Sequence, residues 1–145
     1  MSVRLGGPAR RMRGLSRRRL AAYAQRLLDV LGQADAELSL TLVDDAAGAE
    51  LNQRFRGRAG ATDVLSFALG EGAYAQHRGA LLGDVVIALG VAGRQAEARG
   101  TTPETECRRL LIHGVLHLLG YDHARPAQAR AMGAKERALW RKLAG

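Results

Sequence analysis

The segment "TPETECRRLLIHGVLHLLGYDH" constrains this chain more than any other. Thr102 is placed to cap a helix, Pro103 suits its first position, Glu104 stands in its first turn and Gly120 stops it. Three of the chain's four histidines fall in this segment, at positions 113, 117 and 123. His113 and His117 are four residues apart on the expected helix, which puts both imidazoles on one face with Cβ atoms about 6 Å apart. Gly120 turns the chain, and His123 then folds back toward the same point. Three neutral imidazoles make a tetrahedral zinc site whose fourth position stays open for chemistry. A lone histidine on an apolar helix is usually a core or capping residue. Three at HxxxHxxxxxH, with a glycine at the bend, favour a metal. Asp122 could orient one of the imidazoles or only cap the turn.

The spacing also matches the long zincin signature HExxHxxGxxH at every position but one. Gly114 stands where those proteases carry the glutamate that serves as general base. A glycine cannot take a proton, so the metal ligands are kept while the proteolytic base is missing. This argues against a peptidase of that kind.

The rest of the chain alternates helical and extended patterns. A short strand over residues 2–5 is followed by a basic loop. "LSRRRLAAYAQRLLDVLG" predicts a helix capped by Ser16, with Leu20, Tyr23, Leu27, Val30 and Leu31 inward and Gly32 just past its end. "AELSLTLVDD" alternates Leu38, Leu40 and Leu42 with Ser39 and Thr41, a strand with one buried face. Asp44 or Asp45 can cap the next helix, "AAGAELNQRFRG". "TDVLSFAL" and "ALLGDVVIAL" read as strands. The glycine-rich "GEGAYAQHRG" between them reads as a surface loop that exposes His77. "GVAGRQAEARG" is a short helix. "RPAQARAMGAKERALWRKLAG" is a final one that packs through Met132, Leu139, Trp140 and Leu143. No repeat, linker or boundary interrupts the pattern. The expectation is one domain over residues 1–145: an α+β fold with a small mixed sheet, helices packed on it, and a cleft formed by the long helix and the turn after it.

Composition narrows the functional classes. Aromatics make up 4% of the chain, so the core must be mostly Leu, Val and Ala. The net charge is +8, carried almost wholly by arginine. Guanidinium groups bind phosphate oxygens bidentately, so such a surface suits nucleic acid, although an arginine-rich genome would give the same charge. Cys107 is the single cysteine. It excludes an intrachain disulfide, reads as a small buried hydrophobe and fits a reducing cytoplasm. No uncharged stretch approaches the ~20 residues of a membrane span, and the N-terminal stretch lacks the apolar region of a secretory signal. No membrane partner is expected.

"HGVLHLLGYDH" closely resembles the signature of the YbeY family, the bacterial endoribonucleases and rRNA maturation factors. "LSLTLVDD", "ELNQRFRG", "TDVLSFAL" and "LLGDVVIAL" resemble further family segments in matching order, from about Leu38 to His123. The resemblance implies a compact α+β domain with one Zn2+ held by His113, His117 and His123 in a cleft. It implies metal-dependent cleavage of single-stranded RNA, rather than DNA, in 16S rRNA 3′-end maturation and ribosome quality control. The 30S or 70S ribosome is the implied partner. His117 is then catalytic as well as a ligand, and Arg56 matches the family arginine that faces the substrate phosphate. Two features depart from the family pattern. Ala68 follows "VLSF" where a proline is usual, and the segment after His123 is basic where acids are usual.

RNA cleavage also needs a proton acceptor, and no residue stands out as a general base. Asp84 could orient a histidine or only bond at a strand edge. Thr62, Asp63 and Ser66 are open in the same way. Two rivals to the nuclease remain: a non-catalytic ribosome-assembly factor with a structural zinc, and a zinc hydrolase of another substrate.

Overall fold

The computed structural model describes residues 3–57, 62–68 and 81–144. The elements are β1 (Val3–Gly6), α1 (Arg17–Val30), β2 (Glu37–Val43), α2 (Asp45–Arg56), β3 (Val64–Ala68), β4 (Leu81–Ala88), α3 (Leu89–Arg99), α4 (Pro103–Leu118) and α5 (Pro126–Leu143). Ser2 and the loop carrying His77 lie outside the described residues. The strands form one sheet in the order β1-β2-β4-β3. β2 pairs in parallel with both β1 and β4, and β3 runs antiparallel to β4. The α+β class and the mixed sheet expected from the sequence are therefore what the chain forms.

Alternation along the strands sorts their side chains onto two faces. Leu38, Leu40 and Leu42 of β2 and Val85 and Ile87 of β4 face the main core with α1 and α4. Val43, Leu65, Phe67, Val86 and Ala88 build a smaller cluster on the other face, closed by Ala47 and Leu51 of α2. β4 is thus buried on both sides, while β2 keeps the alternation its Leu-Ser-Leu-Thr-Leu pattern predicts: Leu38, Leu40 and Leu42 are buried, Ser39 and Thr41 are half-buried, and Val43 at its end joins the second cluster. In α1 the buried stripe is Leu20, Tyr23, Ala24, Leu27 and Leu28. Val30 and Leu31 lie at its margin, because the helix ends there and Gly32 turns the chain away at φ 73°.

The helix starts follow their side chains. Ser16 accepts the Arg19 amide, Asp44 rather than Asp45 accepts the Ala47 amide, and Thr102 accepts the Thr105 amide. Asp45 instead takes the Val91 amide and pairs with Arg94, which ties α2 to α3. α4 is the central helix: Cys107, Leu110, Leu111, Ile112, Val115 and Leu116 are all buried. Burying a large apolar side chain stabilises by about 1.5–3 kcal/mol, so this helix is held by its own packing. Cys107 is fully buried. Its thiol is pushed up to about 12 by desolvation first and then by Glu106 and Glu104, which makes it inert at neutral pH.

Glu104 locks the start of α4 to the start of α1. Its carboxylate accepts the Ser16 amide at 2.9 Å, the Arg19 Nε at 3.2 Å and an Arg108 guanidinium N–H at 3.2 Å. Burial alone would raise this carboxyl. The Arg19 and Ser16 hydrogen bonds and the two arginine charges outweigh it and hold the group below the usual range. Stabilisation from a depressed carboxyl is full above its unfolded value and is lost as pH falls through its folded value. Glu104→Gln is therefore expected to lower stability at pH 7 by about 1–2 kcal/mol. Denaturant titrations of the two proteins should converge as pH is lowered into the acid range.

Candidate metal centre

α4 brings its two histidines to the cleft because its backbone lies hard against the sheet at Gly114. A Cβ built there would stand 2.9 Å from Val85 Cγ1 and 3.0 Å from Ser66 Oγ. The Ser66 hydroxyl donates to the Gly114 carbonyl at 3.0 Å and pins β3 to this turn of the helix. Position 114 thus faces the sheet, and packing accounts for its glycine. His113 and His117 flank this contact and emerge beside β3.

The helix then ends as its spacing predicts. Leu118 is the last residue and Leu119 the C-cap, and the Gly120 and Tyr121 amides donate back to the His117 and Leu116 carbonyls at 3.0 Å each. This crossed pair is a Schellman closure, which needs a left-handed residue, and Gly120 supplies it at φ 98°. The chain reverses, and His123 returns to its partners. Ring centroids lie 4.8 Å apart for His113–His117, 5.1 Å for His117–His123 and 5.5 Å for His113–His123. One nitrogen from each ring lies within 4.8 Å of the others, so a single ion can be reached by all three. Asp122 caps the turn: its carboxylate accepts the His123 amide at 2.7 Å.

The donor set fits a borderline-soft divalent metal such as zinc, which favours imidazole nitrogen. Ligation needs neutral rings. His117 is pushed below its usual value, first by burial and then by His113 and His123, against smaller opposing pulls from Asp122 and Glu136. Glu136 of α5 stands 3.5 Å from His113 Nδ1. A carboxylate there favours a proton on Nδ1 and leaves Nε2 with its lone pair available to an ion. The sequence gives no local sign of Glu136, since the contact spans helices α4 and α5.

The histidines line a cavity of about 570 Å³ together with Asn52, Arg56, Thr62, Asp63 and Ser66. Arg56 comes from the end of α2. Its guanidinium donates to the Ser66 carbonyl and lies over the Phe67 ring at 5.1 Å. Asn52 lies buried one turn earlier on α2, at a position that helical periodicity alone does not single out as part of the cleft. Asp63 is the one carboxylate lining this cavity among the described residues. Its oxygens are taken by the Val64 amide at 2.8 Å and by Gln95 Nε2 at 3.1 Å. Asp84 is not brought to the site. It sits opposite Ser39 and Phe67 on the sheet face away from α4, where burial raises its carboxyl and a Ser39 hydrogen bond opposes that.

Fold and site together define an α+β protein with a three-imidazole cluster in an arginine-bordered cleft. The endoribonuclease YbeY family model matches residues 10–144, so the chain belongs to that family. Relatives named Endoribonuclease YbeY bear this out. One from Anaeromyxobacter dehalogenans is 53% identical over 124 residues, covering 86% of this chain and 63% of its own. The chain therefore spans less than two thirds of that relative. Another, from Anaeromyxobacter sp., is 49% identical over 144 residues, covering 97% of this chain and 71% of its own. One from Geobacter metallireducens is 40% identical over 124 residues, with 84% and 83% covered. The solution structure of TM1509 from Thermotoga maritima superposes with a TM-score of 0.65 at 26% identity, covering 97% of this chain and 88% of that one.

If the glycine at 114 is set by packing, a methyl group there is enough to disturb the site. Gly114→Ala is expected to destabilise by about 1–3 kcal/mol, because Val85 and Ser66 must move. Thermal unfolding followed by circular dichroism checks this, and an unchanged midpoint would remove the packing explanation.

Proposed function

We propose that this chain is a zinc-dependent endoribonuclease acting on single-stranded RNA, in 16S rRNA 3′-end maturation and ribosome quality control in the cytoplasm. One observation carries the reading: in a chain of this family, three imidazoles and Arg56 line one cavity. His113, His117 and His123 would hold one Zn2+, which would supply Lewis acidity toward a phosphoryl oxygen.

The chain's own residues do the remaining work. Glu136 orients His113 through Nδ1, and burial favours the neutral form of the His117 ring. Arg56 has several N–H donors, so it can keep its bond to Ser66 and clamp a non-bridging phosphate oxygen as charge builds up there. The Ser66–Gly114 bond fixes the distance between the histidine helix and β3, the strand whose Ser66 carbonyl accepts from Arg56. The net charge of +8 favours a polyanion throughout, and RNA affinity should fall steeply with salt. The bonds that Asp63 accepts from Val64 and Gln95 tie β3 to α3.

The assembly-factor rival needs a structural zinc. The apolar burial of α4 speaks against it, since the helix carrying two of the histidines is packed without help from a metal.

The test is cleavage of a single-stranded rRNA fragment by protein with quantified zinc, beside a chelated sample and three variants. His117→Ala and the chelated protein are expected to keep their circular dichroism and lose cutting. Arg56→Ala should cut on the order of a hundredfold more slowly with zinc retained. Glu136→Gln should weaken zinc affinity by roughly tenfold or more. Cutting that survives in folded, zinc-free protein overturns the reading. Unfolding on chelation, with RNA bound but never cut, puts the assembly factor in its place.

A further inference from the structure

A second cavity of about 590 Å³ lies among α3, α4 and α5 and shares Asp63 and His113 with the histidine cavity. Glu136 of α5 stands against His113 of α4, and Arg109, one turn back on α4, covers the Trp140 ring of α5. The two helices therefore run antiparallel. The groove between them leads from the histidines toward the start of α4 and the end of α5.

Charge is sorted along this groove. Its carboxylates are engaged: Asp63 accepts from Val64 and Gln95, Glu136 faces His113, and Glu106 is 1% exposed with its Oε1 on Arg99 at 3.0 Å. Asp63 and Glu136 lie at the histidine end, and Arg99 is taken by Glu106. Arg109, Arg137 and Arg141 are exposed, line the same cavity and have no ion-pair partner among the described residues. Arg137 and Arg141 are four residues apart, so they follow one line on α5, separated by about 6 Å along its axis. The Arg137 guanidinium lies back over Gly133, where a built Cβ would stand 3.3 Å from Nη1, so it leans toward the histidine end. Arg109 meets Trp140 through the face of its guanidinium. Its N–H donors lie in the guanidinium plane, and the ring contact does not consume them.

These arginines call for an anion and repel a metal cation. Positive groups repeated along a line suit a polymer with regular negative charge, and phosphate takes a guanidinium through two N–H groups at once. The groove opens from the cavity where Arg56 and the histidines converge, so a strand lying there carries its next phosphates into it. We propose that the groove between α4 and α5 is the track by which a single RNA strand leaves the histidine site, its flanking phosphates held by Arg137 and Arg141 with Arg109 facing them. It rests on the ribonuclease reading for the identity of the strand.

The test is fluorescence anisotropy of a labelled single-stranded 12-nucleotide RNA, titrated over a range of salt with His117→Ala protein so that cutting does not intrude. In that background Arg137→Gln with Arg141→Gln should weaken binding roughly fivefold or more at 0.1 M salt. The slope of log affinity against log salt should become shallower by about 1.4, which is two phosphates at about 0.7 each. Both side chains are exposed, so circular dichroism should not change. The control is Arg4→Gln with Arg18→Gln, which removes the same charge from exposed positions on β1, the sheet edge away from β3, and on α1. It should leave the slope within error of the parent. An unchanged slope in the α5 variant, an equal loss in the control, or equal displacement of the RNA by poly-glutamate at matched charge overturns the track. Track-dependent binding by zinc-loaded protein with His117 intact that never cuts would overturn the nuclease alone. Cutting with an unchanged slope in the α5 variant would overturn the track alone.

Discussion

The close approach of α4 to the sheet at Gly114 is the contact on which the site depends. A helix backbone can come this near β3 and β4 only where no Cβ intervenes, and the Ser66 hydroxyl closes the remaining gap onto the Gly114 carbonyl. Two histidines on either side of that point are then carried to the rim of the sheet, beside the strand that also anchors Arg56 through the Ser66 carbonyl. The same contact explains the difference from the zincin pattern. The position that a zincin gives to a proton-transferring glutamate is here spent on packing, and a side chain there would meet Val85, not a ligand in the cleft. Identical histidine spacing therefore yields two different chemical environments, and what separates them is the distance between a helix and a sheet.

The carboxylates show a second constraint. The chain has 14 acidic residues against 22 basic ones, and many of the acids are used internally. Asp44 caps α2, Asp45 joins α2 to α3, Asp63 joins β3 to α3, and Glu104 joins α4 to α1. Each accepts backbone or side-chain N–H groups that would otherwise stay unpaired at an element's end. Acids committed to these bonds are withdrawn from the surface. The arginine surplus on the outside is thus a product of how the fold is tied together as well as of composition, and it is what a polyanion meets.

Much of this was legible in the sequence. Thr102, Pro103 and Gly120 mark the bounds of α4, and the HxxxHxxxxxH spacing anticipates that three rings meet, because helix periodicity and one left-handed turn suffice to bring them together. What local patterns could not carry were contacts between elements distant in sequence. Asp84 sits in an apolar strand near the right residues, yet strand alternation turns it to the opposite face from the histidines. Asp122 is adjacent to His123 but serves the backbone, while Glu136, 13 residues beyond His123, is the carboxylate that reaches an imidazole. Burial of Val43 at the end of β2 likewise depends on where α2 lands, which the strand's own alternation does not encode.

The last helix shows the same limit most clearly. From its sequence α5 is a basic packing helix, and Met132, Leu139 and Leu143 do bury against the core. Helical periodicity sends the residues between them elsewhere. Glu136 and Trp140, and likewise Arg137 and Arg141, are pairs four apart that project on one side toward α4. Arg109 of α4 covers the Trp140 ring at 4.5 Å, which holds the two helices in register. One face of α5 thus fixes the helix while its neighbour presents a carboxylate to His113 and guanidinium groups to the adjoining cavity. The orientation of an imidazole in one cavity and the charge of the other are set by the same helix, so a shift of α5 cannot alter one without altering the other.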